Sequence, residues 1–228
     1  MILVGQYDSP YVRRVAISLK LAGLQFTRDT RSVFADAEEM RRINPLGRIP
    51  SLVLDGGEVL IDSAAILDYI DELVGPERAL LPARGTSRRN ALRIAALATG
   101  AIDKAGAVVY ERVLRPQEMI YQPWIERCLT QLTSGLAALD ALPLTPWYLG
   151  ARPMQPDITV GVLLWYLLKS RTLAGAFPAG RYPNLEAVSA ACEALPEFAL
   201  TVPAADETMP ARGTGSSGQA KPVGSASP

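Results

Sequence analysis

Two hydrophobic periodicities divide the chain. In its first third, short apolar runs alternate with stretches whose apolar residues recur every three or four positions. Residues 1–6 and 26–30 read as strands, and between them Val12, Val15, Ala16 and Leu19 mark one face of a helix over 11–22. The pattern is a βαβ start. A short helix is expected at 36–42, then strands at 51–54 and 59–61 joined across Asp55-Gly56-Gly57, a composition suited to a hairpin turn. Residues 64–74 carry Ile66, Leu67, Ile70 and Leu73 along one side and close the unit as an amphipathic helix.

Beyond residue 80 the period of two disappears. Residues 88–114, 122–142, 157–171 and 184–195 read as helices, punctuated by Pro116, Pro143, Pro146, Pro156 and Pro183. The expected architecture is α/β followed by all-α: one domain over 1–78 and a helical domain over 86–202. Residues 204–228 hold no Leu, Ile, Phe, Trp or Tyr, so burial cannot offset their ordering entropy, and a disordered tail is expected.

Composition narrows the chemistry more than the fold. Of 228 residues 23 are Lys or Arg and 23 Asp or Glu, so no net field steers the protein toward nucleic acid or an anionic membrane. The four arginines within 84–93 read as a solvated helix start. The apolar run over 158–168 is too short to span a bilayer, for which about 20 residues are needed, and is read as a buried helix. The N-terminus has no basic segment ahead of an apolar one, which leads to the expectation of a cytoplasmic protein. There is no histidine, and Cys128 and Cys192 are far apart. That excludes serine-histidine and cysteine-histidine catalysis, Cys-x-x-Cys redox chemistry and His-type metal sites, and no metal is expected.

Three segments carry candidate chemistry. Ser9-Pro10 is a helix start, with Ser suited to the cap and Pro to the first turn. It also follows the first strand, at the sheet end where α/β folds bind ligands, and a hydroxyl can accept a capping bond while donating outward. In Asn44-Pro45-Leu46-Gly47-Arg48-Ile49-Pro50, a proline enters a strand where the ladder needs an N–H. A cis Ile49–Pro50 bond would let the Ile49 backbone pair with an extended ligand, but only about one X–Pro bond in twenty is cis, so spacing leaves this open. Asp62-Ser63 opens the third helix, where the dipole favours a carboxylate and Asp62 offers a partner to an ammonium. Each segment alone is also an ordinary structural device.

Together and in this order, Ser9-Pro10-Tyr11-Val12-Arg13, residues 44–50 and Asp62-Ser63-Ala64-Ala65-Ile66 resemble the cytosolic glutathione S-transferase family of the bacterial serine type, over about residues 1–202. The resemblance implies a thioredoxin-like first domain, glutathione as co-substrate, a cis Pro50 and a homodimer. It implies that Ser9 donates to the glutathione sulfur and that Ile49 pairs with the cysteinyl backbone. Asp62 and Ser63 would hold the γ-glutamyl end, with Arg48 near the glycyl carboxylate. Tyr7 stands as a second candidate donor. Tyr7, Tyr110 and Arg112 are candidate walls for a small hydrophobic electrophile. Met154 stands where the family favours a Ser or Thr cap before the helix at Asp157. Alternative readings are a non-catalytic glutathione-binding or regulatory protein, and a glutathione-dependent peroxidase, isomerase or dehalogenase.

Overall fold

In the computed structural model, which describes residues 1–169, 173 and 177–207, the chain opens with β1 (Ile2–Val4), α1 (Pro10–Leu21) and β2 (Thr27–Asp29). After α2 (Ala37–Ile43) come β3 (Ser51–Val53), β4 (Val59–Leu60) and α3 (Ser63–Val74). The sheet runs β2-β1-β3-β4. β1 is parallel to β2, which requires the α1 crossover, and antiparallel to β3, with Leu3 opposite Leu52. Leu3, Leu52, Val12, Val15, Leu19, Ile66 and Ile70 are all fully buried in one core. This is the thioredoxin-like unit that the family resemblance implied, built on the βαβ start expected from the alternating periods.

The second domain consists of α4 (Gly85–Leu114), α5 (Gln122–Asp140), α6 (Gln155–Lys169), α7 (Pro183–Glu193) and the single turn α8 (Pro196–Ala199). Proline occupies the first turn of α1, α5, α7 and α8, where its missing N–H leaves no bond unmade. α6 is buried on nearly every side between Gln155 and Leu164, which is why its sequence shows a run rather than a stripe. Gly161 sits inside it because a Cβ there would come within 2.9 Å of Cys192 and 3.1 Å of Phe198. α6 begins two residues earlier than expected, and residues 170 and 171 of the expected helix lie outside the described residues.

The missing Ser or Thr at Met154 is compensated from inside α6. Asp157, fully buried, accepts from the Met154 and Tyr148 N–H groups at 2.9 Å each, the acidic half of a capping box. Burial pushes its carboxyl up from the ordinary carboxylate range, against the pull of these N–H bonds.

α1 is shared by the two domains. Its Ile17 belongs to the helical core, and its Ser18 hydroxyl lies 3.1 Å from Gln155 Oε1. The expectation of disorder from residue 204 is corrected at its start. Ala205–Glu207 forms a 3-10 turn, and Glu207, 7% exposed, accepts at 2.7 Å from both the Tyr7 N–H and Arg28. Composition could not signal this, because the segment is held by one carboxylate rather than by apolar burial. Residues 208–228 lie outside the described residues.

Candidate functional site

The loop between α2 and β3 is folded by its own first residue. Asn44, 2% exposed, donates to the Arg48 carbonyl at 2.9 Å and accepts from the Leu46 N–H at 3.0 Å. The Ile49–Pro50 bond is cis. Gly5, at φ 131°, lets the loop close on β1, because a Cβ there would meet Val12 at 2.6 Å and Ile49 at 2.9 Å. Among the described residues, no protein group pairs with the Ile49 N–H or C=O.

Asp62 caps α3, accepting from the Ala64 N–H at 2.9 Å. The next residue, Ser63, is 2% exposed, and its hydroxyl accepts from Arg14 Nε at 3.2 Å and from an Arg14 terminal nitrogen at 2.7 Å. Arg14 itself is 4% exposed. Burial pulls its guanidinium down to about 10, although Tyr11, Asp62 and Asp103 lie near enough to favour the charge. It stays cationic at neutral pH.

At the start of α1 the Ser9 oxygen accepts from the Val12 N–H at 3.4 Å, a long cap. Tyr11, in the same turn, reaches the helical domain: its hydroxyl lies 2.6 Å from Asp103 Oδ1 and 3.1 Å from the Thr99 carbonyl. Its one proton serves the shorter contact. Burial first, and then the Asp103 carboxylate, raise the phenol well above its usual range, so it remains a donor.

These pieces enclose a cavity of about 390 Å³ lined by Tyr11, Arg14, residues 48–50, Asp62, Ser63 and Asp103, among others. Arg48, Ile49, Pro50, Asp62 and Ser63 were all expected at one site, and the fold brings them together. Ser9 is half-buried and does not line the cavity; the lining reaches Tyr11, two residues further along α1. Tyr7, the second candidate donor, lies apart from these residues. It is 3% exposed, with Arg28 stacked 3.4 Å over its ring, and it lines a separate depression with Lys20, Phe26, Leu200 and others.

Tyr110 and Arg112 do not share one face of α4. Residues two positions apart on a helix are rotated by about 200° about its axis. Tyr110 follows Asp103 by two turns and shares its face of α4; it meets Phe34 edge-on at 6.2 Å, while Arg112 is half-buried elsewhere on the helix. Burial, then Asp8, raise the Tyr110 phenol, while Arg48 opposes. The sequence reading missed Arg14, Tyr11, Thr99 and Asp103. Thr99 and Asp103, one turn apart on one face of α4, were the available signal.

Among the described residues there is no cluster of His, Cys, Asp and Glu fit to hold a metal ion, and no helix long and apolar enough to cross a membrane. The family model "Glutathione S-transferase, N-terminal domain" matches residues 3–78, and "Glutathione S-transferase, C-terminal domain" matches 122–191. A maleylacetoacetate isomerase of Pseudomonas aeruginosa is 31% identical over 223 residues, 92% of this chain and 100% of that protein. An uncharacterised GST-like protein of Escherichia coli, YibF, is 37% identical over 140 residues, 61% of this chain and 68% of its own. Two solved structures superpose closely. A glutathione S-transferase from Methylobacillus flagellatus with GSH bound has a TM-score of 0.81 at 32% identity, covering 89% of this chain and 99% of that one. One from Methylobacterium radiotolerans in complex with glutathione sulfonate has a TM-score of 0.80 at 31% identity, covering 92% and 98%. With both halves matched and the cis-proline loop, the α3 start and the helical domain in the expected places, this chain belongs to the glutathione S-transferase family.

Proposed function

We propose that the cavity binds glutathione and that Ser9 activates its thiol for attack on a small hydrophobic electrophile. The observation that carries this reading is the convergence of the Ile49–Pro50 loop, the α3 start and the buried Arg14 on one cavity beside the N-terminus of α1. The Ile49 backbone pairs with the cysteinyl unit as an added strand would. Arg14 and the α3 N-terminus suit the γ-glutamyl carboxylate, Asp62 and Asp103 its ammonium, and Arg48 the glycyl end. Glutathione bound in one similar structure and glutathione sulfonate in another support the assignment.

A thiol has a pKa near 8.5, and the thiolate is the reactive form. Lowering that value by about two units needs about 2.7 kcal/mol of preference for the anion. A hydrogen bond to a charged acceptor supplies about 1.5–3 kcal/mol and a helix N-terminus about 0.3–1, so Ser9 and α1 suffice without a histidine. The long bond from Val12 uses an oxygen lone pair, not the hydroxyl proton, so Ser9 can donate to sulfur while it caps. The electrophile lies against Tyr110, Phe34 and Tyr166, whose phenol burial raises in the neighbourhood of Tyr110 and Asp8.

Ser9→Ala is expected to cut turnover of a model electrophile at least tenfold (about 1.4 kcal/mol) and move the pH–rate profile to higher pH, with glutathione affinity little changed. Tyr7→Phe is expected to leave turnover intact. The opposite pair of results would move the role to Tyr7.

The full-length similarity to a maleylacetoacetate isomerase favours a second reading, in which the sulfur adds to a conjugated double bond and is expelled after rotation. Glutathione is then returned rather than consumed. Counting thiols during turnover separates the two: loss in proportion to product marks transfer, constancy marks isomerisation. Leu114, Met119, Tyr121 and Trp124 stay exposed around the α4–α5 connection, a surface suited to a second copy in a homodimer. Sedimentation at micromolar concentration giving the 24.5 kDa monomer would remove that assignment.

A further inference from the structure

The turn that presents Ser9 is completed by the other end of the chain. Residues 6–9 form a β-turn in which the Ser9 N–H bonds the Gln6 carbonyl at 3.2 Å. In such a turn the N–H of the second residue has no partner within the turn. Here that residue is Tyr7, 3% exposed, so its N–H needs an acceptor from elsewhere. The acceptor is Glu207 Oε2 at 2.7 Å.

The same oxygen meets Arg28 at 2.7 Å, and Arg28 stacks 3.4 Å over the Tyr7 ring. The carboxylate therefore fixes Tyr7 directly through its backbone and indirectly through its ring. The segment that brings Glu207 into place is itself anchored, since the Thr201 carbonyl accepts from Arg13 Nε at 3.1 Å and the Thr201 hydroxyl lies 3.0 Å from the Glu197 carbonyl. Glu207 thus meets the chain at Tyr7, two residues before Ser9, and is absent from the lining of the cavity.

We propose that Glu207 is a positioning residue: by closing the turn over residues 6–9 from behind, it sets the direction in which Ser9 offers its hydroxyl to the bound thiol. This rests on the Ser9 reading above. It explains how a serine whose hydroxyl, among the described residues, makes only a 3.4 Å capping bond keeps one orientation. Glutathione affinity, set by the loop at 48–50 and by Arg14 and Ser63, is independent of it.

The test is a double-mutant cycle in the full-length chain, reading the bound thiol's pKa from the thiolate absorbance, the kcat and KM values, and Tm. Glu207→Ala is expected to raise the thiol pKa by about 0.7 unit and lower kcat about fivefold, with KM for glutathione within about twofold. Glu207→Gln keeps an acceptor for Tyr7 while losing the ion pair, and is expected to recover most of the loss. Arg28→Gln spares the Tyr7 bond and isolates the ion pair, so its thiol pKa should stay within about 0.3 unit of the parent. If Glu207→Ala folds poorly, Glu207→Lys, which removes the acceptor and keeps a long side chain, serves as the second route and should raise the thiol pKa as Glu207→Ala would. In a Ser9→Ala background, Glu207→Ala should have no further effect on the thiol. A normal thiol pKa in a folded Glu207→Ala protein, when Ser9→Ala raises it, overturns the proposal and leaves the Ser9 reading standing. Equal effects in both backgrounds also overturn it, because Glu207 would then act without Ser9. A Ser9→Ala protein with an unshifted thiol removes the Ser9 reading, and this proposal with it.

Discussion

Arg13 and Arg14 are neighbours on α1, both almost fully buried, and their surroundings separate scaffold from site. Arg13, 1% exposed, faces the C-terminal seam. It donates to the Thr201 and Phe198 carbonyls at 3.1 and 3.2 Å and to Glu193 at 3.1 Å, and it lies 4.5 Å from the Trp165 ring centroid. Arg14 faces the cavity, where among the described residues its hydrogen bonds go to a single oxygen, Ser63 Oγ. A guanidinium has five N–H donors. A buried cation whose bonds are spread over two carbonyls and a carboxylate holds the fold together; one whose bonds go to a single hydroxyl beside a cavity is equipped for an anion.

Breaking the first of these contacts has the largest expected effect. Arg13→Met strands Glu193 and two buried carbonyls, and the loss of a buried ion-pair partner costs about 3 kcal/mol. For a chain of this size, thermal unfolding should shift down by about 10 °C. A shift under about 2 °C would mean that the seam does not depend on Arg13. Arg14→Met inverts the pattern. Its removal takes away a charge with little compensation, so stability should change by under about 1 kcal/mol, while calorimetric titration should show glutathione affinity about tenfold weaker, roughly 1.4 kcal/mol. Equal damage to stability by the two substitutions would erase the distinction.

The smallest expected effect lies where the two domains touch at the cavity. Tyr11→Phe deletes the donor to Asp103 and keeps the ring beneath Arg14, 5.5 Å from its guanidinium carbon. Loss of one hydrogen bond to an exposed carboxylate predicts about 1 kcal/mol of stability and less than a threefold change in glutathione affinity. A tenfold loss of affinity would place Tyr11 among the binding groups rather than among their supports.

What the sequence made legible was local. The period change near residue 80 separated sheet from helices, because strands and helices display their buried faces at different spacings. The cavity's two loops could be read because their chemistry is contained in consecutive residues: Asn44 folds 44–50 by itself, and Asp62 caps the helix that Ser63 begins. What failed was long-range. Tyr7 stands close to Ser9 in sequence, yet Glu207, 200 residues away in the chain, and Arg28 hold it, and it lines a separate depression. Tyr110 and Arg112 were grouped by proximity when the helix turns them apart. Arg14 meets Ser63 from 49 residues away, and no local pattern announces such a pair.

The central claim is that the cavity on the Arg14 side of α1 is where a glutathione thiol is bound and activated. A crystal structure with glutathione tests it most directly. The account predicts the γ-glutamyl end at Asp62 and Ser63 within reach of Arg14, the cysteinyl backbone paired with Ile49, and the sulfur within hydrogen-bonding distance of the Ser9 hydroxyl. A peptide seated instead in the depression beside Tyr7 and Arg28, or a sulfur turned away from Ser9 toward another donor, would contradict it.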